Sequence, residues 1–115
     1  MSKKAIIKRS SEIRAILQTG KYVNNPFFKI AYLPGSSKQS RWAVLIGKRY
    51  GKAVERNRIK RRLREILRNI APQLQSTFDL LMIPRRTVEE ISFQLLREKV
   101  HYSFKKEGLL KDAHP

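Results

Sequence analysis

A chain of 115 residues with 26 Lys and Arg against 9 Asp and Glu carries a formal charge of +17, far beyond what solubility requires. Self-repulsion of that size is tolerated when a polyanion neutralises it, so nucleic acid is the first expected partner. The absence of cysteine excludes disulfides, zinc knuckles and thiol nucleophiles, and fits a reducing compartment.

The length suits a single domain spanning 1–115, with an ordered core of about 6–106 and a loose tail over 107–115. The charge is uneven: residues 1–40 net +7, residues 41–70 net +9, and the last 45 residues only +1. The partner-facing surface is therefore expected from the first 70 residues. No apolar run approaches the roughly 20 residues of a membrane span, and the basic start lacks the apolar stretch of a secretory signal. A soluble cytoplasmic protein with no membrane partner is the expectation.

Taken in order, Ser10 or Ser11 can cap a short helix with an apolar edge of Ile13, Ile16 and Leu17, stopped by Gly20. The run Phe27 to Leu33 alternates as a strand, with Phe28, Ile30 and Tyr32 on one face and Phe27, Lys29 and Ala31 on the other. Pro34 to Ser37 reads as a turn, and Arg41 to Ile46 as a second strand antiparallel to the first. A basic loop, Lys48 to Lys52, then leads into a helix closed by Pro72.

In that helix Ile59, Leu63, Ile66, Leu67 and Ile70 fall on one face at helical spacing, while Asn57, Arg61, Arg64 and Arg68 line another, with Lys60 beside them. Phe78 to Ile83 gives a further strand, expected parallel to 41–46 across the helical crossover. Thr87 caps a last helix from Val88 to about Lys106, with Glu89 and Glu90 in its first turn and apolar stripes broad enough to predict burial on more than one side. The order predicts an α+β sandwich.

Side-chain catalysis is poorly provided for. His101 and His114 lack partner groups, no carboxylates sit at metal-ligand spacing beside a histidine, and the glycines match neither a phosphate-binding loop nor a dinucleotide fingerprint. No catalytic and no metal-ligating residue is assigned in the protein. A basic-zipper reading fails because Pro72 ends the helix too early for sustained heptads, and a helix-turn-helix fits badly with flanking strands. Arginines on a rigid helix can instead grip phosphates bidentately, and any one aromatic here reads as core before it reads as a base platform.

The run Lys48 to Glu65, with its Arg56-Asn57-Arg58 core followed by Lys60-Arg61 and Arg64-Glu65, closely resembles the signature of the protein subunit of bacterial ribonuclease P. The resemblance extends loosely over about 6–106. It implies a two-layer α/β sandwich like the second domain of ribosomal protein S5, with a left-handed strand-helix-strand crossover where the general rule would choose the right hand. It also implies an accessory subunit of an endoribonuclease whose catalytic RNA, with mainly RNA-bound Mg²⁺, removes the 5′ leader of precursor tRNA. The partners are then the catalytic RNA and precursor tRNA, with no DNA expected. A structural RNA-binding protein of ribosomal type is the alternative.

By that resemblance Lys48, Arg49, Lys52, Arg56, Asn57, Arg58, Lys60, Arg61, Arg64 and Arg68 contact RNA. The family's leader cleft lies between the first helix and the sheet, which here involves Ile13, Leu17, Phe27, Lys29 and Ala31. The chain departs from the family pattern at this point. Ile13, Leu17 and Ala31 stand where members carry aromatics, and Phe27 with Lys29 is the expected substitute.

Overall fold

A strand with the four-residue apolar run Leu80 to Ile83 lies inside the sheet, and the rest of the fold follows from covering both its faces. In the computed structural model, which describes residues 5–87 and 90–111, the elements are α1 (Ser10–Thr19), β1 (Lys21–Asn24), β2 (Phe28–Pro34), β3 (Arg41–Val44), α2 (Ala53–Ile70), β4 (Phe78–Pro84) and α3 (Phe93–Lys106). The sheet order is β1-β2-β4-β3. β4 runs antiparallel to β2 and, as predicted for the crossover, parallel to β3.

β2 and β3 were expected as neighbours; instead β4 lies between them. Leu80, Leu81 and Met82 are all buried, and a strand buried on both faces belongs in the sheet centre. β1 is absent from the sequence prediction because Lys21-Tyr22-Val23-Asn24 is short and polar, with only Val23 turned toward the core. It pairs antiparallel with β2 and forms one edge of the sheet, where a lysine is a common device against further pairing. The other edge is covered by Ile6, bridged in parallel to Trp42, with the Ile7 amide donating to the Trp42 carbonyl at 2.8 Å.

One face of the sheet, with Phe28, Ile30, Tyr32, Trp42, Leu80 and Met82, packs against α2 and α3. On α2 the buried residues are Ile59, Leu63, Ile66, Leu67 and Ile70, the predicted stripe. Burying five such side chains stabilises by roughly 7 to 15 kcal/mol gross. A 3₁₀ turn at Ala71–Gln73 containing Pro72 ends the helix. The opposite face is crossed by α1, whose Ile16 meets Ala31, Ala43 and Leu81. The chain turns from α1 into β1 at Gly20, where a Cβ would come within 2.5 Å of the Ile16 carbonyl oxygen and 2.9 Å of that of Tyr32.

Three boundary expectations are corrected. Neither Ser10 nor Ser11 caps α1: Arg9 occupies the cap position, without a side-chain cap. α3 begins at Phe93 rather than Val88, because Ser92 accepts the Leu95 amide at 3.1 Å and is the working cap; Val88 and Glu89 lie outside the described residues. α3 also buries one stripe only, Leu96, Val100, Ser103 and Phe104, while Leu95 and Tyr102 are exposed. Residues 107–111, read from sequence as loose tail, fold back onto the core. Gly108 takes a left-handed φ of 77°, Leu109 is buried, and the Gln75 and Lys111 amides bond across to the Leu109 and Gln73 carbonyls.

Two polar contacts tie the layers together. Arg41 on β3 reaches Asp79 on β4 at 3.0 Å and Glu12 on α1 at 2.9 Å, so a mostly buried guanidinium joins helix and sheet. The Tyr32 hydroxyl donates to Glu107 at 2.7 Å, and burial together with that carboxylate pushes the phenol up to about 12.

Candidate nucleic-acid interface

The buried stripe of α2 fixes which side chains look outward. Asn57, Arg61, Arg64 and Arg68 are exposed along the helix and Lys60 is half-buried beside them, spanning about 16 Å at 1.5 Å per residue. Among the described residues no carboxylate pairs with Lys60, Arg61 or Arg64. Lys48, Arg49 and Lys52 are also exposed, in the loop and 3₁₀ turn leading into the helix. The result is a set of exposed cations on a rigid helix and on the loop that leads into it.

The remaining signature arginines are turned to other work. Arg56 donates from its guanidinium to the Gly51 carbonyl, fastening the helix to its own preceding loop. Arg58 pairs with Glu90 at 3.1 Å, and Arg62, which the sequence reading did not single out, lies 3.7 Å from the same carboxylate. These contacts brace α2 against the segment before α3. Of the ten predicted contact residues, Arg56 and Arg58 thus have the protein partners just described, while Lys48, Arg49, Lys52, Asn57, Arg61 and Arg64 are exposed and Lys60 is half-buried.

The loop is held by a second clasp that sequence spacing could not reveal. Arg86, just after β4, donates to both Glu55 oxygens at 3.1 Å and to the Tyr50 carbonyl at 2.7 Å, with its guanidinium 5.8 Å from the Tyr50 ring centroid. Glu55 in turn accepts the Lys52 amide at 2.9 Å, satisfying a free donor at the helix start. The hydrogen bond from Arg86, and then that from the Lys52 amide, hold the Glu55 carboxyl below its usual range. Gly51 sits beneath the clasp with a φ of 157°, and a Cβ there would fall on the Arg86–Glu55 pair.

The opposite sheet face holds the other predicted cluster, and the structure rearranges it. Ala31 is fully buried, Ile13 is half-buried against the α1 contact, and Leu17 is 37% exposed. Lys29 stays on this face. Phe27 does not: it packs with the main core on the far side, beneath Lys99, whose Nζ is 5.7 Å from the ring centroid. The cause is Asn25, whose side-chain oxygen accepts the Phe27 and Phe28 amides at 2.8 and 2.9 Å. That turn breaks the strand alternation one residue before β2 begins. Phe27 and Lys29 therefore do not form the expected pair.

Tyr22, which the sequence reading missed, stands there instead. It is directly opposite Ala31 in the β1–β2 register, its hydroxyl donates to the Leu17 carbonyl, and Lys29 Nζ is 5.4 Å from its ring centroid. The signal available in sequence was the two-residue alternation of Lys21 to Asn24, too brief to read without its partner strand. Among the described residues no cluster of three or more His, Cys, Asp or Glu could hold a metal ion, and His101 is exposed on α3. No helix of the described residues is long and apolar enough to cross a membrane.

A family model described as Ribonuclease P matches residues 1–108. The ribonuclease P protein component of Streptococcus equi subsp. equi is 34% identical over 113 residues, covering 98% of this chain and 94% of that protein. Among solved structures, the RNase P protein from Thermotoga maritima superposes with a TM-score of 0.78 at 28% identity, covering 87% of this chain and 94% of that one. A mutant RNase P protein from Staphylococcus aureus gives 0.85 at 22% identity, covering 94% and 92%, a likeness of fold.

Proposed function

The chain belongs to the ribonuclease P protein family, whose members work with an RNA subunit to mature the 5′ ends of tRNA, and on that premise we propose how its faces divide the task. The outward face of α2, with Asn57, Lys60, Arg61, Arg64 and Arg68, together with Lys48, Arg49 and Lys52 of the loop, binds the catalytic RNA. Arg56 and Arg58 support that face by fixing the loop and the helix flank, with their remaining donors available to the same RNA. The α1 face of the sheet, with Ile13, Leu17, Lys29 and the wall around Ala31, takes the precursor's 5′ leader.

Hydrolysis belongs to the RNA and its Mg²⁺, and the protein lowers the repulsion between two polyanions in the cytoplasm where they meet. When bound, the metal supplies an activated water and stabilises charge on the phosphate. The protein's side chains bind and orient. The observation that carries this reading is the row of arginines on α2, unpaired at Arg61 and Arg64 among the described residues and held rigid by five buried aliphatics.

Reconstitution tests it. Adding the protein to ribonuclease P RNA and precursor tRNA should lower the Mg²⁺ concentration needed for cleavage and raise kcat/KM at limiting Mg²⁺. A folded protein that leaves the Mg²⁺ dependence unmoved would overturn the proposal, as would equal affinity for the ribozyme and for random duplex DNA.

A further inference from the structure

Trp42 is the one tryptophan of the chain, and its indole N–H is buried without an acceptor among the described residues. A buried donor left unpaired is unfavourable, so it calls for a physical reason. The side chain is 3% exposed, on the sheet face covered by α2.

The same residue lines a cavity of about 660 Å³, bounded by the turn ahead of β3, the end of α2 and the segment ahead of β4. Ala71 and Leu74 give it apolar wall, and Lys38 and Arg68 line it from positions exposed to solvent. Among the described residues no Asp or Glu lines it. A volume of this size, with apolar walls and a few polar groups, is typical of a small-molecule site, and the uncompensated sign of the charges selects a ligand that carries an anion. Its place matters as much as its lining. Arg68 is the last member of the outward row Asn57, Arg61, Arg64 and Arg68, so a polyanion laid along that row arrives at the cavity.

We propose that the cavity receives one unpaired nucleotide of the catalytic RNA, swung out of its strand, with an acceptor on the base edge taking the Trp42 N–H and Lys38 meeting the phosphate. The proposal rests on the reading that the outward face of α2 binds that RNA. Splayed-out bases are the positions at which proteins recognise a folded RNA specifically, and every base has a carbonyl or ring nitrogen to offer the indole. The neutral heterocycle also suits the carbonyl end of α2, which disfavours an anion, and the phosphate falls to the exposed lysine. The arginine row grips phosphates without regard to sequence, whereas a base held in this cavity fixes the register of the RNA along the helix.

Because Trp42 is the sole tryptophan, its fluorescence reports on the cavity directly. Ribonuclease P RNA titrated into the full-length protein should quench or shift that emission, saturating at the concentration at which the complex forms. Ala71→Phe, which fills the cavity, should weaken the complex by about 5- to 150-fold, the range of one lost base contact, and abolish the change in emission. Lys38→Ala, in an exposed turn, should make the dependence of log K on log salt shallower by about 1. Assembly that leaves the Trp42 emission unmoved would overturn the proposal, as would a folded Ala71→Phe that binds and quenches like wild type.

Should Ala71→Phe fail to fold, Ser76→Phe narrows the same cavity from an exposed position and carries the same expectations. Nucleoside monophosphates separate the sources of the ligand. Quenching by them but not by the ribozyme would make a free nucleotide the occupant and overturn the assignment to RNA. If wild type fails to stimulate cleavage while the ribozyme still quenches Trp42 and Ala71→Phe abolishes the effect, the functional reading fails and the site stands.

Discussion

Arg61 and Arg64 illustrate how a side chain can matter to a partner and hardly at all to its own fold. Both are exposed on α2 with no carboxylate within reach among the described residues. Replacing both with alanine should weaken RNA binding and make the dependence of log K on log salt shallower by about 1 to 2. The melting temperature should stay within a degree or two; a large drop would mean that the arginines hold the protein together. Leu63 is the counter-case on the same helix, with no exposed surface. Leu63→Ala should cost about 2 to 5 kcal/mol in urea unfolding. Arg41 belongs with Leu63 despite its charge. Removing it strands Asp79 beneath the sheet edge, and breaking such a buried pair costs about 3 kcal/mol or more, read by the same unfolding curves.

At the scale of elements, the N-terminus of α2 is set by the clasp of Glu55, Arg86 and the Lys52 amide. The Glu55 carboxyl lies below its ordinary value when folded, and so does that of Glu12, chiefly through the hydrogen bond from Arg41. A depressed carboxyl contributes stability that is complete above the unfolded value of 4.5 and is lost as pH falls through the folded value. Melting temperature should therefore fall as pH drops from about 5 toward 3. Glu55→Gln and Glu12→Gln should each flatten that fall while lowering stability at neutral pH. Gly51→Ala forces a side chain into the clasp and should reduce RNA affinity more than it reduces the melting temperature, since the loop that carries Lys48 and Arg49 is what shifts.

The same elements show where sequence was sufficient. α2 was legible down to its five buried residues because a long amphipathic helix repeats its signal over several turns. The outward arginine row came with it. The cluster around α1 was not, because it depends on which residues face each other across β1 and β2. A four-residue strand carries too little periodicity to announce itself. The Asn25 turn, which sends Phe27 to the other face, likewise looks like ordinary loop composition until its side-chain oxygen is seen accepting two amides. The Arg86–Glu55 clasp joins residues 31 apart and has no local signature.

Across the whole molecule, the sheet order has a consequence for how the chain is made. β4 is the last strand to be synthesised and the middle one in the sheet, so β2 and β3 have no partner along their facing edges until residues 78–84 arrive. α2 emerges earlier, and its apolar stripe has only half a sheet to settle on. The core thus closes in one late step that joins distant parts of the chain, the kind of topology that folds slowly. A nascent chain stopped short of Phe78 would display open strand edges and a greasy helix together with most of its positive charge. Such an intermediate invites capture by any nearby polyanion until β4 slides in.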